Sequence, residues 1–215
     1  MNRLFLVIAL AAAFGCTAQM KFPDPATDEP VAAAKGQQTA VFAGGCFWGI
    51  QTVFKHTKGV ISSTSGYAGG STKNPSYEQV STGSTGHAES VKVVFDPSQI
   101  TYGQLLKVFF SVAHDPTELN RQGPDSGTQY RSAIFFTDPE QHKVAKAYID
   151  QLNAAKVYNH AIVTQVSPLS AFYNAEDYHQ DYAELHPDQP YIYINDLPKL
   201  DALKKKYPDL YVGKR

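Results

Sequence analysis

Along the chain, apolar positions alternate in some stretches and recur every three or four residues in others, and the switches between the two periods mark its elements. Residues 39–43 form a short apolar run that ends in Gly44-Gly45 and reads as a strand. Phe47, Ile50, Val53 and Phe54 then fall at helical spacing, which puts Cys46 at the first turn of a helix. Residues 89–95 alternate, with Glu89, Val91, Val93 and Phe95 on one row and Ser90 and Lys92 on the other. Thr101 and Gln104 form a capping box ahead of a helix with Leu105, Leu106, Val108, Phe109 and Val112 on its apolar side, ending near His114-Asp115-Pro116. After a polar loop over 116–129, residues 130–136 alternate as a strand. Asp138-Pro139 caps another helix, with Val144, Tyr148 and Leu152 one turn apart. Strands follow over 162–166 and 191–195, with a short helix capped by Asn174 between them and a closing helix over 197–207. Gly59 to Ser62 leads into a glycine-rich loop at 66–70, expected to be mobile, and then to the turn Asn74-Pro75-Ser76-Tyr77. This order predicts an α+β fold, a two-layer sandwich.

Composition narrows the function classes. With 215 residues, 43% hydrophobic and 18% charged, the chain supports one substantial core. A formal net charge of −1, without a basic cluster interleaved with aromatics, excludes nucleic acid as an expected partner. Arg3 followed by the apolar run 4–14 reads as a signal peptide over residues 1–15. Its end resembles a bacterial lipoprotein cleavage site, which would leave Cys16 as the lipidated first residue; the alternative is ordinary cleavage nearby. Residues 16–38, with Pro23, Pro25 and Pro30 and no hydrophobic period, are then the lipidated cysteine and a flexible tether, and 39–215 the catalytic domain. The expected location is the cell envelope, on the periplasmic or outer side, with membrane contact only through the lipid. A monomer is expected.

Candidate chemistry centres on Gly44-Gly45-Cys46-Phe47-Trp48-Gly49. At a helix N-terminus the unpaired N–H groups and the dipole favour thiolate over thiol, and flanking glycines would leave room for a substrate. The competing reading is an inert buried cysteine. Glu89 shares the buried row of its strand, where loss of water would keep its carboxyl protonated and able to donate a proton; a frayed strand start turned to water is the alternative. His87-Ala88-Glu89 matches half of a zinc deaminase pattern, but the cysteine pair that would complete the ligand set is missing, so no metal is expected. His56 and His142 read as solvated helix positions. A cysteine before an aromatic at a helix start also suits a cysteine-dependent hydrolase, with His114 or His179 as base.

Three motifs in order, GGCFWG at 44–49, TGHAE at 85–89 and HDPTELNRQGPDSGTQYRS at 114–132, resemble peptide methionine sulfoxide reductase, class A. The resemblance runs from about Thr39 to about Tyr211. It implies a ferredoxin-like core with a mixed sheet, and reduction of methionine sulfoxide, protein-bound or free, of the S epimer at sulfur. It also implies Cys46 as nucleophile and Glu89 as proton donor, Tyr77 and Tyr130 donating to the sulfoxide oxygen, Asp125 shaping substrate contacts, and Phe47 and Trp48 enclosing the methyl group. No cofactor is implied; an external thiol, small or carried by a thioredoxin-fold protein, restores the cysteine. Many class A relatives carry further C-terminal cysteines, and this chain has none after Cys46.

Overall fold

The computed structural model describes residues 22–31 and 36–213. At the centre of its sheet lies β1 (Gln38–Gly44), followed by α1 (Phe47–Lys55), β2 (Val60–Ala68), α2 (Tyr77–Ser81) and β3 (Ala88–Phe95). Next come α3 (Tyr102–Val108), prolonged by a π-helical turn (Phe109–Ala113), a small hairpin of β4 (Arg121–Gln122) and β5 (Asp125–Ser126), and β6 (Ser132–Phe136). The chain closes with α4 (Pro139–Ala154), β7 (Gln165–Pro168), β8 (Phe172–Asn174), α5 (Tyr182–Leu185), a second π-helical turn (Ile192–Asp196) and α6 (Leu197–Lys206). The main sheet has the order β7-β6-β1-β3-β2-β8, antiparallel except for the parallel β6–β7 edge. It is the mixed sheet with helices expected for this α+β class.

Alternation along the strands sorts the core into two layers. Ala40, Phe42, Val91, Val93, Phe95 and Ile134 pack with residues of α1, α3, α4 and α6. Phe42 stacks on Phe54 at 5.1 Å and on Phe109 at 4.9 Å between ring centroids, and burying each such ring contributes about 1.5–3 kcal/mol. The opposite face carries smaller groups, Val41, Ala43, Ala68, Ala88 and Ala133 with Phe135, covered by Leu169 and Phe172.

Several expectations change. Of the stretch 66–70 expected as a mobile glycine loop, residues 66–68 are the end of β2: a side chain at Gly66 would collide with Phe172 and the Tyr173 carbonyl, so glycine there permits strand pairing with β8. Residues 191–195 are not a strand. Ile192 and Asp196 are buried while Tyr193 and Ile194 are exposed, a four-residue step that suits a helical turn. Asn174 ends β8 instead of capping a helix, and the strand expected over 162–166 lies at Gln165–Pro168. His56 is buried at the end of α1, with Nδ1 2.8 Å from the Val212 carbonyl and Nε2 3.0 Å from Glu184. The signal peptide and Cys16 lie outside the described residues. Residues 22–31, expected as part of a tether, lie against the helices: the Asp28 carboxylate accepts from Thr101 Oγ1 at 2.5 Å and Gly103 N at 2.8 Å, Lys107 pairs with Asp24, and Phe22 meets Tyr158 edge-on.

Candidate active site

Cys46 is the N-cap of α1, at the point where β1 turns into the helix. The turn needs glycine. Gly45 has φ +93°, and a Cβ there would run into Gln122, while one at Gly44 would meet the His114 ring. These glycines therefore admit His114 and Gln122 rather than a substrate, which corrects the expectation that they clear a path to the thiol. Gly49, in the first turn of α1, sits against Asp196 and Lys199.

Cys46, Phe47, Trp48 and Glu89 line a cavity of about 280 Å³, together with Tyr77, Asp125 and Tyr130 from three separate segments. All seven residues expected around the reacting centre thus meet in one place. Gln189 and Tyr191, which the sequence reading left out, complete the wall. Tyr191 lies in a run whose alternation mimics a strand; its hydroxyl donates to Asp125.

Glu89 is 2% exposed and accepts a hydrogen bond at 3.1 Å from the Phe47 backbone N–H. Burial drives its pKa up to about 8, the Asp125 and Asp196 carboxyls push in the same direction, and the Phe47 N–H opposes them. At pH 7 the acid form then outnumbers the carboxylate by roughly ten to one. The buried-row reading of Glu89 holds, and the frayed-start alternative falls.

Cys46 behaves differently from expectation. Its pKa is raised well above the ordinary thiol value by burial first and then by Glu89 and Asp196, against the Trp48 N–H and Lys199. The resting group is a neutral thiol, because loss of water and the acid neighbours outweigh the start of the helix. Burial likewise raises Tyr77, Tyr130 and Tyr191, so all three phenols keep the proton they would donate.

Trp48 is held on several sides. It stacks on Tyr182 at 4.0 Å, meets Tyr191 edge-on at 6.1 Å, and donates from Nε1 to His179 Nδ1 at 3.2 Å. That bond leaves the His179 proton on Nε2, and burial lowers the ring's pKa. His114 is held between the Phe109 carbonyl and Ser132 Oγ, with burial lowering its pKa to about 4. Neither imidazole lines the cavity, so the hydrolase reading lacks a base beside the thiol. Among the described residues no group of three or more His, Cys, Asp or Glu could hold a metal ion.

Residues 38–210 match the sequence profile of the family described as peptide methionine sulfoxide reductase. The chain belongs to the peptide methionine sulfoxide reductase family. It is 58% identical over 182 residues to peptide methionine sulfoxide reductase MsrA 2 of Mesorhizobium japonicum, covering 85% of this chain and 93% of that one. It is 53% identical over 189 residues to MsrA 2 of Synechocystis, covering 87% and 88%. Among solved structures it is similar to methionine sulfoxide reductase A of Corynebacterium diphtheriae, with TM-score 0.63 and 40% identity over 72% of this chain and 77% of that one. Mxr1 of Saccharomyces cerevisiae in reduced form gives TM-score 0.65 and 33% identity over 76% and 92%. Membership of the methionine sulfoxide reductase family accounts for the mixed sheet with its helices.

Proposed function

We propose that this chain reduces methionine sulfoxide, free or within proteins, with Cys46 as nucleophile and Glu89 as proton donor. The observation that carries the reading is the meeting of a thiol and a protonated, buried carboxyl in one aromatic-walled cavity. As the Cys46 sulfur attacks the sulfoxide sulfur, the S–O bond weakens and oxygen takes the proton of Glu89, while Tyr77 and Tyr130 donate hydrogen bonds to it. The carboxylate so formed is rebalanced by the proton that the thiol gives up. The oxygen leaves as hydroxide or water and then adds to the Cys46 sulfur, expelling the thioether as the bond between the two sulfurs breaks. Net, thiol and sulfoxide become cysteine sulfenic acid and thioether, with the cysteine oxidised by two electrons. Phe47 and Trp48 enclose the methyl group, an apolar wall that also keeps water from the reacting pair. Asp125, fixed by Tyr191, shapes contacts to the rest of the substrate. Class A resemblance supports the S epimer.

Two equivalents of an external thiol close the cycle. The first displaces water from the sulfenic acid to give a mixed disulfide, and the second releases Cys46 as thiol and leaves as disulfide. A small thiol or a thioredoxin-fold protein fits this role, because no other cysteine lies between residue 39 and the end of the sequence. The assembly expected is a monomer, and sedimentation as a dimer in solution would refute that.

The sequence of residues 1–16 supports export and attachment to the cell envelope through a lipid on Cys16. Labelling the full chain with radioactive palmitate tests this: label should be present in the wild type and absent from Cys16→Ala. Unlabelled wild type would refute the anchor. For the reaction itself, the decisive experiment is product formation from the separate sulfoxide epimers of a methionine peptide with a thiol reductant. Reduction of the S epimer alone is expected, and no reduction of either would refute the assignment.

A further inference from the structure

A carboxylate outside the cavity lining ties two of its walls together. Glu176 follows β8, where its Oε2 accepts from the Tyr67 hydroxyl at 2.8 Å and its Oε1 from the Tyr77 backbone N–H at 2.9 Å. Tyr67, fully buried on β2, is the cross-strand partner of Glu89, and its ring lies 6.0 Å from that of Phe47. Tyr77 is the first residue of α2, where an N–H has no acceptor within the helix. The Glu176 carboxylate therefore spans from the strand beside Glu89 to the helix that brings Tyr77 into the cavity.

The segment that carries Glu176 is itself fixed to β2. The Ala175 N–H donates to the Ser65 carbonyl at 2.9 Å, and Gln180 accepts from the Ser65 N–H at 3.0 Å while donating to the Ser65 and Ala175 carbonyls at 3.1 Å. Between these anchors His179 lays its ring 4.4 Å from that of Tyr77. α2 has five residues, too few to hold its own place through internal hydrogen bonds, so the position of Tyr77 depends on outside ties. Gln129 supplies one at the far end, donating to the Ser81 carbonyl at 3.0 Å, and Glu176 supplies the one at Tyr77 itself. We propose that Glu176 is a positioning residue for sulfoxide reduction: clamped between Tyr67 and Tyr77, it holds the Tyr77 phenol in register with the Glu89 carboxyl, so that one sulfoxide oxygen can accept from both. The inference rests on the proposed role of Tyr77 as donor to that oxygen.

The test uses the full chain and two readouts. In single-turnover reduction of a methionine peptide bearing the S sulfoxide, E176A should be slower than wild type by about tenfold, the scale on which a displaced catalytic group loses rate. E176Q should keep the wild-type rate, because its carboxamide oxygen accepts from the Tyr77 N–H and its amide nitrogen donates to the Tyr67 hydroxyl. In a Y77F background E176A should bring no further slowing, whereas general loosening of the fold would slow both backgrounds alike. Y67F, which removes only the hydroxyl that pins the carboxylate, should slow the reaction in the same coupled way and decides the question if E176A does not fold. The second readout is the fluorine NMR resonance of Tyr77 in fluorotyrosine-labelled chain, assigned by its loss in Y77F: it should move in E176A and stay in place in E176Q. Additive slowing in the two backgrounds, an E176Q variant as slow as E176A, or an unmoved resonance would overturn the proposal. Because the resonance needs no sulfoxide, a line that moves as expected in a chain that reduces no sulfoxide refutes the proposed function and leaves the tie between Glu176 and Tyr77 standing.

Discussion

The backbone N–H of Phe47 donates to Glu89 Oε2 at 3.1 Å, which ties the residue after the cysteine to the carboxyl of β3 across the cavity floor. With one oxygen so occupied, the other is left to carry and donate the proton. Glu89→Gln preserves the acceptor for Phe47 and removes the titrating proton. Single-turnover reduction should slow by about 10²–10⁴. The wild-type rate should fall as pH rises through about 8, where Glu89 loses its proton, and the Gln variant should lack that limb. A variant with the same pH–rate profile would move the role to another group.

The same carboxyl should cost stability. Its folded pKa of about 8 exceeds the ordinary 4.5, so the folded state holds the proton more tightly. The stability linked to this group is complete below about pH 4.5 and is lost as pH climbs through about 8. Glu89→Gln has no such loss and should exceed the wild type at pH 9 by on the order of a few kcal/mol, with a much smaller difference near pH 4.5. Urea unfolding of both proteins at the two pH values checks this; equal stability at pH 9 would contradict the burial argument.

How far the sequence was legible varies by element. The buried carboxyl could be read because Glu89 shares the parity of Val91, Val93 and Phe95, and period two leaves little freedom about which face a residue takes. The helices of Thr101 and Asp138 were legible from caps that form as expected, Thr101 accepting from Gln104 N and Asp138 from Glu140 N and Gln141 N. β2 was hidden because Ser62-Ser63-Thr64-Ser65 and Gly66 lack an apolar row, and its existence depends on pairing with β3 and β8. Tyr191 and Asp196 were hidden for the opposite reason: Tyr-Ile-Tyr-Ile mimics strand alternation, whereas the tertiary contact of Tyr191 with Asp125 and the i,i+3 contact of Asp196 with Lys199 suit a helical turn. The thiol's resting state was misread because a helix start is visible in sequence, whereas the desolvation that overrules it is not.

Trp48 is braced by Tyr182 and His179, so removing it should open the cavity rather than let a neighbour refill it. Trp48→Ala is expected to raise KM and lower kcat together, since the indole both holds the methyl group and excludes water. Steady-state kinetics on a methionine sulfoxide peptide measure both, and wild-type values for both would take Trp48 out of the site.

Residues 22–31 should contribute to the domain's stability. Asp28 is the acceptor for both the Thr101 hydroxyl and the Gly103 N–H at the start of α3. Asp28→Ala strands these donors and should cost about 1–3 kcal/mol, measured by denaturant midpoint. Activity of the remaining folded enzyme should be unchanged. An unaltered midpoint would mean that the segment lies on the helices without holding them.

After one turnover without reductant, Cys46 should remain as the oxidised product of the reaction. No second cysteine follows it in the sequence, so an intramolecular disulfide cannot form within the domain, and the raised thiol pKa gives no special stability to a resting thiolate. Sulfenic acid is then the species that persists, until an external thiol displaces water from it. Mass spectrometry of residues 17–215 after one equivalent of sulfoxide should show the gain of one oxygen, and a sulfenic-acid reagent such as dimedone should label the Cys46 peptide. Cys46→Ser should show neither the gain nor any turnover, while keeping its fold by circular dichroism. Stoichiometric release of methionine from an enzyme of unchanged mass would refute oxygen transfer to Cys46 and require another reductant in the chemical step.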